Sequence, residues 1–190
     1  MKKIKKKLDE VTNVIQRKIK IIKKRKVKKK INNFFEWIKG AELVELKSCD
    51  IREDPVRPEL DIVFRRSYGR KIYGVKYQKE ICAIMCFGFT DEIPKTVKEL
   101  DLMTRDAYLR SAQRDQNIGK IAIAYTVWSK KKGGGKLIVK EVHKMIKKSN
   151  YLNRLITLSP LTEMARNFHL NNGATELQVN DETQNFEYKI

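Results

Sequence analysis

A chain of 190 residues, 41% of them hydrophobic, is long enough to bury one core, so the sequence fits one domain with an appendage. No apolar run approaches the roughly 20 residues that a membrane-spanning helix needs, and lysines interrupt the apolar residues near the N-terminus, where a signal peptide would be continuously apolar. We therefore expect a cytoplasmic protein without a transmembrane helix. The net charge of +19 is uneven, because residues 1–30 carry 15 basic and 2 acidic residues and the remainder carries 27 and 21.

Residues 1–39 are predicted to form a basic helical arm, as one helix or two short ones. Apolar residues recur there at helical spacing on a lysine background, namely Ile4, Leu8, Val11, Ile15 and Ile22. Two interpretations stay open. The apolar stripe packs on the rest of the chain or on a second copy in a homo-oligomer, or the lysines of residues 1–30 bind nucleic acid, another polyanion or an anionic surface.

Residues 40–190 are predicted to form a mixed α/β domain. Strands are predicted at residues 42–49, 60–64, 72–77 and 81–89, the last two joined by a hairpin at 78–80. Residues 96–114 show only a weak helical period. A strand at 121–127, a helix at 136–149 and a strand at 155–158 follow, then a helix from Pro160 to residue 172 that Gly173 ends. The tail reads as a last strand or pair, at 176–179 and 185–190.

The three cysteines, Cys49, Cys82 and Cys86, lack the spacing of metal ligands. We interpret them as thiols of a reducing compartment, with Cys82 and Cys86 on one side of a buried strand. No metal site is predicted.

A turn rich in lysine and glycine joins the strand at 121–127 to the helix that follows. Its glycines, Gly133 to Gly135, let an anion approach the first backbone N–H groups of that helix, and Lys130, Lys132 and Lys136 add positive charge. A nucleotide-binding Walker loop would need Ser or Thr where Leu137 stands, and a dinucleotide fingerprint would need glycine where Ile138 stands. The turn therefore suits a pyrophosphate, unless it is only a mobile turn kept soluble by its lysines.

Two segments resemble the GNAT superfamily of acyl-CoA N-acyltransferases. Residues 130–135 are similar to its Q/R-x-x-G-x-G/A loop, and residues 165–174 are similar to its A-x-x-F-Y-x-x-x-G-F segment. The resemblance implies a GNAT-like, mostly antiparallel sheet flanked by helices, with acetyl-CoA or another acyl-CoA as co-substrate and an unknown amine as acceptor. The implied CoA-binding residues are Val127, Lys130, Lys132, Gly133, Gly134, Gly135, Lys136 and Leu137.

The tyrosine that acts as general acid in that superfamily is replaced by His169, and a histidine can protonate the departing thiolate near neutral pH. No carboxylate stands out as the base that takes the amine proton. Glu80, Asp106 and Asp115 are candidates of equal standing. His143 lies in the lysine-rich helix and is expected to be exposed.

A second resemblance is to the catalytic domain of malonyl-CoA decarboxylases, which has the same fold. It rests on Thr157-Leu-Ser-Pro160, on Phe168-His-Leu-Asn-Asn-Gly-Ala174, on Asn180 and on the ending at residues 185–188. It implies Ser159 and His169 as a catalytic pair. Only eight residues, 160–167, separate the first two segments, where decarboxylases have a long insertion. Ser159 also suits a helix N-cap before Pro160.

Three functions follow from these residues. The first is acyl transfer to an amine, the second is decarboxylation of malonyl-CoA, and the third is a non-catalytic protein that binds a polyanion on a GNAT scaffold. An apolar or acidic pocket around Ser159 would count against decarboxylation, because a malonyl carboxylate needs hydrogen-bond donors.

Overall fold

The computed structural model describes residues 20–28, 32, 34–114 and 118–190, which fall into two units that meet between Ala41 and Glu42. In the first unit, residues 20–28 and 34–39 are helical, and every residue from 20 to 28 is exposed. Most of the predicted apolar stripe lies outside the described residues, and its described member, Ile22, is 52% exposed. Among the described helices none is both long and apolar enough to cross a bilayer.

The second unit is built on one sheet with the strand order β1-β2-β3-β4-β5-β8-β6, and β7 pairs with β8. Strands β4 and β5 are parallel, while the pairs β2–β3, β3–β4, β5–β8, β6–β8 and β7–β8 are antiparallel. The predicted mixed, mostly antiparallel sheet is therefore confirmed. The strands are Ala41–Leu46, Lys71–Tyr77, Glu80–Thr90, Ile121–Ser129, Arg154–Thr157, Ser159–Pro160, Thr175–Val179 and Thr183–Tyr188.

Among the described residues of the second unit, four α-helices flank the sheet, and two short 3₁₀ turns, Ile51–Glu53 and Ser67–Gly69, lie between β1 and β2. The longest helix, α2, covers the segment whose sequence shows only a weak helical period. The hairpin between β2 and β3 and the final strand pair are as predicted. The helices are α1 (Ile62–Arg66), α2 (Val97–Arg114), α3 (Gly134–Lys147) and α4 (Glu163–Asn171).

Helix α3 packs on the sheet through one apolar face. Its side chains at spacings of three and four residues are buried and contact β3 and β4. Burying each aliphatic side chain stabilises the fold by about 1.5–3 kcal/mol, so this face fixes where the helix begins relative to β4. The buried side chains are Leu137, Ile138, Val139, Val142 and Ile146.

One predicted strand and the start of one predicted helix are wrong. Residues 60–64 are not a strand, because the Asp61 side chain accepts a hydrogen bond from the Phe64 amide and starts α1 there. The last helix does not start at Pro160, and Ser159 is not its N-cap. Ser159 and Pro160 form β6 against β8, and Thr162 caps α4 by accepting a hydrogen bond from the Ala165 amide. Gly173 follows that helix with φ of 87°, as its predicted position requires.

The parallel strands β4 and β5 separate after a short stretch of pairing. Pairing ends at Ala124 and Thr157, and one more bond joins the Leu158 amide to the Ala124 carbonyl. Opposite β3, β4 has an extra residue, Tyr125, at this point, and such a bulge bends a strand. The Arg57 guanidinium donates to the carbonyls of Tyr125 and Leu158, at 3.2 and 3.4 Å, so it bridges the two diverging chains.

Candidate active site

A cavity of about 320 Å³ lies where β4 and β5 separate. Five of the ten residues predicted for the site line it: Val127, Lys130, Gly135, Ser159 and His169. The other predicted residues, Lys132, Gly133, Gly134, Lys136 and Leu137, do not line it. Much of the remaining wall is apolar and comes from Pro55, Val56, Met85, Pro160, Met164 and Phe168.

Ser159 and His169 meet at the wall of this cavity. Ser159 lies in β6, His169 lies in α4, and Ser159 Oγ is 2.8 Å from His169 Nε2. Only 5% of Ser159 and 4% of His169 is exposed. Pairing of β6 with β8 carries Ser159 under α4, so the two residues are ten positions apart in sequence and in direct contact in the fold.

A third residue, Tyr188, completes a hydrogen-bonded chain. Its hydroxyl is 2.9 Å from His169 Nδ1, and Ser159 Oγ is 3.1 Å from Thr157 Oγ1. Burial raises the pKa of Tyr188, so the phenol keeps its proton. Among the described residues, His169 Nδ1 is the acceptor within hydrogen-bond distance of that hydroxyl. We therefore assign the proton of the imidazole to Nε2, where it is directed at Ser159.

His169 is neutral at physiological pH. Burial lowers its pKa from 6.5 to about 4, because the low-dielectric interior disfavours the charged imidazolium. The ring stacks on Phe186 with 5.0 Å between centroids and meets Phe168 edge-on. The sequence predicts that His169 protonates the departing thiolate near neutral pH, but the buried ring is neutral and has no second proton to give. A neutral imidazole still carries one N–H, so it can relay a proton.

The strand end that holds Ser159 is fixed by a buried amide. Asn185 is fully buried, and its Nδ2 donates to the carbonyls of Pro94 and Thr157, at 3.1 and 2.9 Å. Its Oδ1 accepts from the side-chain amides of Gln178 and Asn180. Because both ends of the amide are satisfied, this network fixes the backbone two residues before Ser159.

The three glycines of the turn have three different roles. Gly133 adopts φ of 83° and is the N-cap of α3. Gly134 packs tightly, since a Cβ there would lie 3.0 Å from the Ser129 Cβ and 3.2 Å from the Ala83 Cβ. Gly135 faces the cavity beside the Phe168 ring, where a Cβ would lie 3.1 Å away. Only Gly135 therefore brings the backbone to the cavity wall.

The first turn of α3 presents unpaired backbone donors. The Gly134 amide donates to the Lys131 carbonyl and the Leu137 amide donates to the Gly133 carbonyl. Between them, the amides of Gly135 and Lys136 have no hydrogen-bond partner within the described part of the chain. A helix N-terminus with free N–H groups and positive dipole charge suits an anion.

The lysines of the turn point in different directions. Lys130 lines the cavity and forms an ion pair with Glu53, at 2.5 Å. Lys132 is exposed. Lys136 lines a separate pocket of about 300 Å³ together with His143 and Tyr188. The side chain of Leu137 is buried in the core, so this residue stabilises the helix and does not face the cavity.

The part of the cavity wall formed by Glu53, Pro55 and Val56 is held in place by residues that the sequence did not indicate. Asp54 is buried beside Arg65, at 2.8 Å, with both side chains at 0% exposure, and Thr126 Oγ1 donates to the Asp54 carboxylate. This network holds the segment from Glu53 to Val56 against β4. In the sequence, only the opposite charges of Asp54 and Arg65 point to this network, and many exposed residues carry the same charges.

Other residues singled out from the sequence do not lie at the cavity. Glu80 and Asp106 do not line it, and Asp115 lies outside the described residues. His143 is half-buried, with its Nε2 2.7 Å from the Lys189 carbonyl, so the expectation that it is simply exposed is wrong. Cys82 and Cys86 are buried free thiols and Cys49 is half-buried. In the described ranges no cluster of His, Cys, Asp or Glu could hold a metal ion.

No family model and no curated protein matches this sequence. Solved structures do match. A malonyl-CoA decarboxylase from Cupriavidus metallidurans superposes with a TM-score of 0.58 at 16% identity, over 83% of this chain and 63% of that one. A Bacillus subtilis acetyltransferase in complex with CoA gives 0.52 at 9% identity, over 79% and 99%. The GNAT domain of PAT from S. lividans gives 0.52 at 9%, over 79% and 90%.

These likenesses concern the fold. The chain spans less than two thirds of the decarboxylase's length, and identities of this size are too low to carry over an activity. The expected GNAT fold is confirmed.

Proposed function

We propose that this chain binds an acyl-CoA in the cavity between β4 and β5 and transfers the acyl group to an amine. The observation that carries the proposal is the hydrogen bond between Ser159 and His169 at the wall of a cavity that Gly135 and Val127 also line. A proton-handling pair and an anion-binding helix start thus share one cavity, as an acyl-CoA enzyme requires.

The residues present fit the CoA diphosphate. The free amides of Gly135 and Lys136 and the dipole of α3 offer it hydrogen bonds and positive charge, with Lys130 and Lys132 nearby in the turn. The separated end of β4 leaves backbone groups that the pantetheine arm can pair with. An amide near Val127 would polarise the thioester carbonyl.

The proton path follows from the neutral state of His169. Ser159 holds the proton closest to the cavity and delivers it to the departing thiolate. His169 Nε2–H donates a hydrogen bond that stabilises the serine oxygen, Tyr188 keeps its proton and donates a hydrogen bond to His169 Nδ1, and a proton from solvent then restores the serine hydroxyl. Because the donors are already aligned at hydrogen-bond distances, no group has to be charged before the reaction begins.

Decarboxylation of malonyl-CoA is the second candidate, and the same Ser159–His169 pair favours it. Loss of carbon dioxide would leave an enolate, and Ser159 would protonate its carbon. The apolar wall formed by Pro160, Met164 and Phe168 counts against this reaction, because a malonyl carboxylate needs hydrogen-bond donors or positive charge. We therefore place acyl transfer first.

Product analysis with acetyl-CoA, longer acyl-CoAs and malonyl-CoA separates the candidates. Amine-dependent release of CoA indicates transfer, acetyl-CoA with carbon dioxide indicates decarboxylation, and release of CoA without an amine indicates hydrolysis.

His169→Ala should leave CoA affinity nearly unchanged and lower turnover by at least about tenfold, as expected when a proton-transfer group is removed. If no acyl-CoA binds with micromolar affinity, both enzymatic candidates fail, and unchanged turnover would remove His169 from the mechanism.

The basic arm has a separate role in this proposal. Residues 1–39 form an appendage, residues 40–190 form the acyl-CoA-binding domain, and the lysines of residues 1–30 attach the protein to nucleic acid or another polyanion. The exposure of every residue from 20 to 28, six of them Lys or Arg, supports the availability of this charge. Self-association through the apolar stripe is the competing use of the arm.

A further inference from the structure

One carboxylate faces the cavity, and no step of acyl-CoA binding or of the proton path uses it. Glu53 ends the 3₁₀ turn Ile51–Glu53 and is the one acidic residue among the described residues of the cavity wall. Its Oε2 lies 2.5 Å from Lys130 Nζ. An acid at this place is chemically useful, since acyl transfer to an amine needs a group that takes the amine proton.

The position of Glu53 is fixed by the residue that follows it. Thr126 Oγ1 lies 2.9 Å from both carboxylate oxygens of Asp54 and donates its one proton to them, and Asp54 also pairs with Arg65. Thr126 lies on the separated part of β4, four residues before Lys130. The buried Asp54 therefore attaches the 3₁₀ turn to β4, which forms part of the cavity wall. The backbone of Glu53 is held beside the cavity as a result.

The two ion pairs at this corner differ in how easily they break. Asp54 and Arg65 are fully buried, so breaking their pair would leave an uncompensated charge. The side chains of Glu53 and Lys130 are 37% and 50% exposed, and an exposed pair contributes little because water solvates both partners when they part. A diphosphate bound at the start of α3, close to Lys130 in sequence, can therefore take this lysine from Glu53.

We infer that Glu53 accepts the proton of the attacking amine, and that Lys130 keeps this carboxylate occupied until the diphosphate of an acyl-CoA draws the lysine away. The inference rests on the proposed acyl transfer. The nitrogen of a neutral amine bonds to the thioester carbon, Glu53 takes one proton from that nitrogen, the C–S bond breaks and the sulfur takes the proton of Ser159. The products are an amide and CoA with its thiol, and Glu53 later returns its proton to water.

Affinity for CoA tests the coupling without any acceptor. By calorimetry at low salt, Glu53→Gln should bind CoA about two- to fivefold more tightly, since the lysine no longer has to leave an exposed ion pair. Lys130→Met should bind CoA more weakly, and adding Glu53→Gln to Lys130→Met should then have no effect. Glu80→Gln, a matched change outside the cavity, should match wild type. Tightening by Glu53→Gln that persists in the Lys130→Met background would overturn the coupling.

Turnover tests the base. With acetyl-CoA and benzylamine, n-hexylamine or spermidine, Glu53→Gln should release CoA about a hundredfold more slowly than wild type, whereas Glu80→Gln should not. Equal melting temperatures would show that the variants are folded. A loss smaller than about threefold, or wild-type enzyme inactive with all three amines, overturns the inference. Failure of wild type to bind any acyl-CoA would instead refute the proposed function itself.

Discussion

The protonation of His169 governs the chemistry available to this cavity. A charged imidazolium would donate from both nitrogens, but the buried ring is neutral and carries a single proton. Tyr188, whose pKa is raised by burial, stays protonated and donates to Nδ1, so the remaining N–H faces Ser159. The serine hydroxyl is thus the last donor before the cavity.

The buried neutral histidine makes stability depend on pH. Because the pKa is 6.5 in the unfolded chain and about 4 in the folded one, the unfolded state binds more protons between these values. Stability must therefore fall as the pH falls, by about 2 kcal/mol for this group between pH 7 and pH 5. His169→Gln removes the titrating group and should show a pH dependence weaker by that amount in urea unfolding.

Groups other than His169 contribute equally to both proteins, so the difference between their pH profiles isolates this residue. Identical profiles for wild type and His169→Gln would mean that the imidazole is hydrated or charged in the folded state.

At the residue scale, the sequence predicts chemistry only where a local motif carries it. Ser159 and His169 were identified from two short segments, and the fold brings them together. Tyr188 lies in the segment matched to decarboxylases but gave no sign of its contact with His169. Glu53 has no local signal, because its place in the cavity depends on contact between Asp54 and Thr126, 72 positions apart. Candidates chosen by residue type alone, such as Glu80 and Asp106, lie elsewhere.

At the element scale, the first turn of α3 packs closely against α4 at Gly135. An added methyl group at residue 135 would meet the Phe168 ring at 3.1 Å and reduce the space next to the free amides. We expect Gly135→Ala to weaken CoA binding by about tenfold, comparable to losing about one good hydrogen bond to a charged group. Calorimetric titration with CoA measures the effect.

Gly173→Ala provides the control for that substitution. Nothing lies within 4 Å of a Cβ at Gly173, but its φ of 87° disfavours alanine. This variant should lose stability, on the order of 1 kcal/mol, and keep its CoA affinity. Equal CoA affinity in Gly135→Ala and wild type would place the diphosphate away from this turn.

The link between the 3₁₀ turn and β4 depends on a buried ion pair. Breaking it by Asp54→Asn or Arg65→Met should each cost about 3–5 kcal/mol in urea unfolding, because one buried charge loses its partner. The double variant should lose less than the sum, since neither charge then remains. Glu42→Gln breaks an exposed pair with Lys76 and should change stability by less than about 1 kcal/mol. Strict additivity in the double variant would contradict the pairing.

Elements with a strong period were predictable, and those set by distant contacts were not. The continuous apolar run of β3 and the apolar face of α3 specify strand and helix locally. Residues 60–64 form a short apolar run that fits either, and the Asp61 cap decides for a helix. At Ser159 and Pro160, pairing with β8 overrides a local pattern that favours a helix start.

At the scale of the whole molecule, the site exists because two parallel strands stop pairing. The bulge at Tyr125, the bridging guanidinium of Arg57 and the turn of the chain into β6 all act at that point. Composition and period predict a mixed sheet but not where its strands part, because that depends on register between segments about 30 residues apart. The motifs predict the site residues without the sheet, because they are local in sequence.

The excess positive charge and the cavity lie in different parts of the chain. Residues 1–30 carry a net charge of +13, while the cavity belongs to residues of the second unit. We expect a variant lacking residues 1–39 to keep its CoA affinity and to lose most of its affinity for single-stranded RNA. Wild-type affinity for RNA should fall by about 300-fold or more between 50 and 200 mM salt if six or more lysines contact phosphates. Fluorescence anisotropy with a labelled RNA measures both, and RNA affinity that survives removal of residues 1–39 would assign the polyanion site to the second unit instead.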